Sequence, residues 1–162
     1  MKILFIQTGG TIDKDYPKLT KGYAFEITEP AVKRILENIA PMFEYEIKPL
    51  LQKDSLDMTD EDRRIILETC QKSDSEKILI THGTDTMIET AEKLSEIKGK
   101  TIVITGAMRP ERFSNSDASF NIGVAIGALN SIKNGVYIAM NGRIYEYDKV
   151  KRNTDTGQFT EI

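Results

Sequence analysis

The 162-residue sequence contains only one cysteine, Cys70, and only one histidine, His82. A single cysteine excludes an intrachain disulfide and a zinc site of several cysteines, so we expect Cys70 to be a small buried residue of a helix. No apolar run approaches the roughly 20 residues that cross a bilayer. The apolar run at residues 1–6 is too short for a signal peptide. We therefore expect a cytoplasmic protein without a membrane partner.

The sequence also has no excess of basic residues. It contains 22 Lys and Arg against 25 Asp and Glu, which gives a formal net charge of -3. The basic residues are scattered among acidic ones and form no basic stripe, so we expect no nucleic-acid partner. The length and an apolar fraction of 40% suit one globular domain, which we expect to span residues 1–162.

Short β-branched runs alternate with helical patterns along the chain. This alternation is typical of an α/β fold in three layers, α/β/α, with a mostly parallel sheet. The expected strands are nearly continuous in apolar character, as buried parallel strands are. They lie at residues 2–7, 44–50, 77–81, 101–105 and 136–140.

Four helices are expected between these strands. The first follows Pro30 and has apolar residues at 32, 35, 36 and 39 on one face. The second begins at Thr59, where three acidic residues suit the positive end of the helix dipole. The third begins near Thr84 or Asp85 and buries residues 87, 88, 91 and 94. The fourth spans residues 117–132, and its small residues at 123, 125, 127 and 128 are expected to pack closely on the sheet.

The segment Thr8-Gly9-Gly10-Thr11-Ile12 follows the first expected strand. Ligands of open α/β sheets bind beyond the carboxyl ends of the strands, so this position favours a site. Two consecutive glycines allow a sharp turn and a close approach to a ligand, although a plain tight turn explains them equally well. A nucleotide site is less favoured, because no Lys-Ser or Lys-Thr pair follows and the third glycine of a dinucleotide fingerprint is missing.

The segment Thr81-His82-Gly83-Thr84-Asp85-Thr86 follows the third expected strand. It gathers three hydroxyls, a carboxylate and an imidazole near the start of a helix. Thr84 as the N-cap, with Asp85 as its dipole partner, explains only two of these groups. We expect His82 to be a structural hydrogen-bonding residue, because no Gly-x-Ser-x-Gly elbow is present to supply a partner for a histidine base.

These two motifs resemble those of the bacterial-type L-asparaginases. The segment Gly106-Ala107-Met108-Arg109-Pro110 and the run Lys151-Arg152-Asn153-Thr154 also resemble family segments, in the same order. From the residues alone, Arg109 either holds a carboxylate or braces its loop. The resemblance covers nearly all of this sequence and about half of a full-length member, which implies a short form that corresponds to the N-terminal catalytic domain.

The resemblance implies a role for each matching residue. Thr11 matches the primary nucleophile, Thr84 the second catalytic threonine and Asp85 the neighbouring substrate-binding carboxylate. Lys151 matches the lysine that completes a Thr-Lys-Asp set, in which a neutral amine would serve as the base. Ser55 matches the serine that holds the substrate α-carboxylate.

Three further expectations concern the rest of the site. The backbone around Gly10 and Gly83 is expected to contact the substrate and to stabilise an oxyanion. A loop tyrosine is expected to orient the nucleophile, and Tyr16 is favoured over Tyr23 because it lies closer to Thr11. Leu56 stands where many members have a polar residue, and it cannot hydrogen-bond a substrate through its side chain.

The favoured function is hydrolysis of L-asparagine to L-aspartate and ammonia through an acyl-threonine, without a metal or an organic cofactor. Alternatives are an amidase for another amide, such as L-glutamine, and a non-catalytic module that binds a small amino acid or regulates a partner. In full-length members, a partner subunit's second domain reads the substrate α-ammonium. A chain that resembles half of a two-domain enzyme should expose surface that the absent half would cover, so we expect a homo-oligomer, either a dimer or a tetramer. A neighbouring copy could then restore part of the missing wall of the site.

Overall fold

The computed structural model describes residues 1–18 and 24–162. Its elements follow in chain order: β1 (Lys2–Gly9), β2 (Lys14–Asp15), β3 (Glu26–Ile27), α1 (Ala31–Ile39), β4 (Glu44–Lys53), α2 (Asp60–Lys72), β5 (Lys77–Thr81), α3 (Met87–Leu94), β6 (Thr101–Thr105), α4 (Ala118–Ser131), β7 (Gly135–Met140), β8 (Arg143–Glu146), β9 (Val150–Arg152) and β10 (Phe159–Glu161).

A six-stranded sheet in the order β4-β1-β5-β6-β7-β8 forms the centre of the fold. All neighbouring strands are parallel except β8, which pairs antiparallel with β7. Side chains alternate across β1, so that Leu4 and Ile6 join the core under α2 and α3. Ile3 and Phe5 join the core under α1 and α4. The predicted three-layer α/β/α fold with a mostly parallel sheet is therefore confirmed.

Helix α2 shows how local sequence sets an element boundary. Thr59 is its N-cap, and the Thr59 hydroxyl accepts a hydrogen bond from the backbone N–H of Asp62. The Asp62 carboxylate in turn accepts from the backbone N–H of Thr59 at 2.8 Å, which completes a capping box. Cys70 lies buried on the inner face of this helix, and burial raises its thiol pKa to about 12. The predicted start at Thr59 and the buried cysteine are confirmed.

Three helix details differ from the prediction. Helix α3 begins at Met87 with Thr86 as its N-cap, so Thr84 is not the cap. Ile39 is 55% exposed because α1 ends there, followed by Ala40 in the left-handed conformation. Gly123 and Gly127 lie on the exposed side of α4, where an added Cβ would meet no atom within 4 Å, so neither glycine packs on the sheet.

The strand predictions were wrong at the edges of the sheet. Strand β4 is longer than predicted and largely exposed, because it pairs only with β1 and forms an edge. The edge strand β8 and the β9–β10 hairpin were missed. Among residues 1–18 and 24–162, no helix has the length and apolar character needed to cross a membrane.

Candidate active site

Three loops meet at the carboxyl ends of β1, β4 and β5, and two glycines allow the meeting. Gly10 has φ +87°, and a Cβ added there would lie 2.4 Å from the backbone nitrogen of Gly83. A Cβ added to Gly83 would lie 2.6 Å from the Ser55 hydroxyl oxygen. These distances are far below van der Waals contact, so no larger residue fits at either position without a shift. The structure thus brings together the segments that contain Thr11, Ser55 and Thr84.

Side-chain hydrogen bonds fix these loops to one another. The Thr8 hydroxyl donates to the carbonyl oxygen of Thr81 at 2.8 Å, and the Thr86 hydroxyl donates to the carbonyl oxygen of Ser55 at 2.8 Å. The Lys14 ammonium donates to the Asp54 carboxylate at 2.9 Å, and this contact lowers the pKa of Asp54. The hydroxyls of Thr8 and Thr86 therefore hold the loops together.

Thr11 begins a short 3₁₀ turn, Thr11–Asp13, directly after Gly10. The turn is anchored by Ile12, which is fully buried, and by the carboxylate of Asp13, which accepts from the backbone N–H of Ala31 at 2.8 Å. Thr11 itself is half-buried, and its hydroxyl makes no hydrogen bond within the described part of the chain. A rigid turn therefore presents a hydroxyl whose proton and lone pairs are available to a ligand.

Ser55 lies in the same place with a buried polar atom. The residue is 1% exposed, and its hydroxyl oxygen has no hydrogen-bond partner among residues 1–18 and 24–162. An unpaired buried hydroxyl is costly, which points to a ligand group that completes it. Leu56, by contrast, is 72% exposed. The backbone N–H of Gly10 is already used, since it donates to the carbonyl oxygen of Lys53 at 3.0 Å.

His82 has a structural role, as predicted from the sequence. The imidazole is fully buried, with Nδ1 2.8 Å from the carbonyl oxygen of Gly83 and Nε2 2.8 Å from the Thr90 hydroxyl. Because a carbonyl only accepts, Nδ1 carries the proton and Nε2 accepts from Thr90. Burial lowers the pKa of His82 to about 4. The neutral ring therefore braces the Gly83 turn.

The structure does not bring Lys151 to the predicted Thr-Lys-Asp set. Residues alternate along β9, so Val150 is buried, Lys151 is exposed and Arg152 lies on the same side as Val150. The Arg152 guanidinium is 3.2 Å from the carboxylate of Asp85 and donates to the Thr84 hydroxyl over 3.4 Å. An arginine therefore occupies the place where the resemblance implied a lysine.

Tyr16 and Tyr23 are the two candidates for the loop tyrosine, and the structure describes only Tyr16. Tyr16 is 72% exposed and packs against Phe25 with ring centroids 5.0 Å apart. No hydrogen bond joins its hydroxyl to Thr11 in the ranges 1–18 and 24–162. Tyr23 lies outside the described residues. The assignment of the loop tyrosine thus stays a prediction.

The loop after β6 supports the site from one side. Asp117 accepts from the backbone N–H groups of Met108 and Arg109, and the Arg109 guanidinium reaches the carbonyl oxygen of Asn115. Arg109 thus braces its own loop. The backbone N–H of Glu111 donates to the carbonyl oxygen of Ile12 at 3.1 Å, which ties this loop to the Thr11 turn. Within the described ranges, no group of three or more His, Cys, Asp or Glu could hold a metal ion.

Comparisons with known proteins show the family of this chain. The family model "Asparaginase, N-terminal" matches residues 2–160. The chain belongs to the asparaginase family. A glutaminase-asparaginase from Acinetobacter glutaminasificans is 30% identical over 155 residues, which cover 88% of this chain and 47% of that protein.

Solved asparaginase structures contain the fold of this chain in about half of their own length. The thermostable L-asparaginase from Thermococcus kodakarensis matches with a TM-score of 0.87 and 27% identity, over 100% of this chain and 51% of that one. A probable cytoplasmic L-asparaginase from Campylobacter jejuni matches with a TM-score of 0.82 and 27% identity, over 99% and 52%. The chain therefore spans about half the length of the relatives that it matches.

Proposed function

We propose that this chain is an amidohydrolase that converts L-asparagine to L-aspartate and ammonia, with Thr11 as the nucleophile. The observation that carries the proposal is the convergence of Gly10, Gly83 and Ser55, which sets the Thr11 turn beside Thr84 and Asp85. Membership of the asparaginase family supports it. No metal or organic cofactor is required by this chemistry.

In the proposed reaction, the Thr11 hydroxyl oxygen attacks the carbonyl carbon of the side-chain amide. The C–N bond breaks, and the hydroxyl proton leaves on nitrogen as part of ammonia. Water then attacks the resulting ester, which releases the carboxylic acid and restores the hydroxyl. Ser55 would bind the substrate α-carboxylate, while Gly83 and the Thr84 hydroxyl would contact the reacting amide. Asp85 would face the substrate ammonium.

Ammonia release from L-asparagine, L-glutamine and D-asparagine tests the proposal. The wild-type protein is expected to release ammonia from L-asparagine in the presence of a chelator, and the T11A variant is expected to release none above background. The T11S variant keeps a hydroxyl and should retain activity. Mass spectrometry should detect an aspartyl adduct on Thr11, and the adduct should persist in T84A. If no amide in the panel releases ammonia, the chain is a module that binds a small amino acid.

Two further proposals concern assembly and location. A homo-oligomer, a dimer or a tetramer, would cover exposed apolar side chains such as Met42, which is 99% exposed, and Phe120, which is 60% exposed. Sedimentation at concentrations on the order of tens of micromolar tests this, and a monomer alone would contradict it.

A cytoplasmic location is proposed from the Campylobacter jejuni neighbour, whose name describes it as cytoplasmic. The single domain over residues 1–162 stays a prediction.

A further inference from the structure

Arg152 is held rigidly against the candidate site. Its strand β9 pairs with β10, where Arg152 lies opposite Phe159. The turn between the strands closes on the guanidinium, because a Cβ added to Gly157 would lie 3.3 Å from the Arg152 Nη2 atom. Hydrogen bonds from the N–H groups of Asp155 and Thr156 to the Asn153 side chain hold this turn. The guanidinium is thus positioned by the fold of the hairpin.

Arginine differs from lysine in two ways that matter at this position. It stays protonated at every pH at which proteins are folded, and it carries five donors and no acceptor. Arg152 therefore cannot take a proton from Thr84. Because the Thr84 oxygen accepts from Arg152, the Thr84 proton points elsewhere and is available to a ligand. Thr84 can therefore donate a hydrogen bond to a ligand.

Unpaired polar groups and a guanidinium lie together at this side of the site. The Ser55 hydroxyl is buried without a partner, and the Arg152 Nε atom is buried without an acceptor within residues 1–18 and 24–162. The nearby carboxylate of Asp85 is paired with Arg152 at 3.2 Å. An amide brings one neutral acceptor, whereas a carboxylate brings two charged acceptors that attract the guanidinium.

We infer that Arg152 is a specificity-determining residue that makes this site bind the carboxylate of a short amino acid more tightly than the corresponding amide. The inference deepens the proposed function, because it predicts that the site retains the acid that its own hydrolysis would produce. It does not depend on turnover, since the preference follows from the groups that face the ligand.

Calorimetry with L-aspartate and L-asparagine tests the inference on a T11A background, in which hydrolysis is blocked. The dissociation constant of L-asparagine is expected to exceed that of L-aspartate by about tenfold or more, since a hydrogen bond to a charged group contributes at least about 1.4 kcal/mol. The R152Q variant removes the charge, and the ratio should fall close to one. The K151Q variant removes a charge one residue away, on the exposed side of β9, and should keep the ratio.

A second variant tests the same inference in the opposite direction. D85N releases the guanidinium from its ion pair, so the ratio of the dissociation constants of L-asparagine and L-aspartate should rise above that of the T11A protein. This variant keeps the inference testable if R152Q does not fold. A ratio near one in the T11A protein, equal loss in K151Q and R152Q, or no binding of either ligand would overturn the inference. Ammonia release is measured separately with Thr11 intact. Absent release with a preserved ratio overturns only the proposed function, and release with a ratio near one overturns only the inference.

Discussion

Replacing Asp13 by asparagine should stabilise the protein at pH 8, although the change removes a buried side-chain charge. Asp13 is fully buried two residues after Thr11, and burial raises the pKa of its carboxyl from 3.8 to about 7. One oxygen accepts from the backbone N–H of Ala31, at the start of α1. The other oxygen lies beside the Gln7 side chain, whose contact partly opposes the rise in the Asp13 pKa. By hydrogen-bond geometry, this oxygen and the side-chain oxygen of Gln7 both lack a partner in the described residues. A proton on Asp13 would satisfy both.

The sign of the effect follows from the raised pKa. A group that binds its proton more tightly in the folded state stabilises the fold below pH 3.8, and this stabilisation is lost as pH rises through about 7. A rise in pKa from 3.8 to about 7 corresponds to a loss of about 4 kcal/mol in the free energy of unfolding. The substituted asparagine side chain stays neutral, can still accept from Ala31, and offers an N–H to Gln7. D13N should therefore match the wild type near pH 4 and exceed it by up to about 4 kcal/mol at pH 8.

Urea unfolding followed by circular dichroism at several pH values measures this difference. D54N is the matched control with the opposite sign, because the hydrogen bond from Lys14 lowers the pKa of Asp54. D54N should destabilise the protein at neutral pH, with the effect disappearing as pH falls through the pKa of Asp54. A D13N protein that is less stable than the wild type at pH 8 would refute the idea of a protonated Asp13.

Two further predictions concern the scaffold of the site. Because His82 is the only histidine, its NMR signals can be followed alone, and the ring should remain neutral until pH falls to about 4. The free energy of unfolding should fall between pH 6.5 and about 4, because in this range the unfolded chain binds a proton that the buried ring does not. Titration of the folded ring near pH 6.5 would contradict the buried assignment. G83A should lose stability and ligand binding, because its new Cβ would lie 2.6 Å from the Ser55 hydroxyl, whereas G123A should gain up to about 1 kcal/mol on an open helix surface. Unfolding curves of both variants compare them directly, and equal effects would contradict the close packing.

Periodicity predicted the centre of the fold because the inner strands are apolar on both faces. The strand bounds at 77–81 and 101–105 were correct to the residue. Predictions failed where pairing partners decide exposure. Strand β4 was predicted as a buried strand but lies at the edge of the sheet, and the apolar face assigned to α1 ended before Ile39. Sheet order and helix ends depend on contacts that are distant in sequence, so a local pattern does not reveal them.

The site shows the same limit at the scale of one residue. The two glycine motifs correctly predicted which loops meet. In the structure these loops approach so closely that no side chain would fit at Gly10 or Gly83. The motif match also assigned Lys151, where the structure instead directs Arg152 toward Asp85. A shift by one position in a strand moves a side chain to the opposite face. The sequence does contain a signal for the correct phase: Val150 is apolar and buried, so the residue two positions later shares its face. Arg152 thus stands where the resemblance implied a lysine, and an arginine, unlike a lysine, does not give up its proton in a protein.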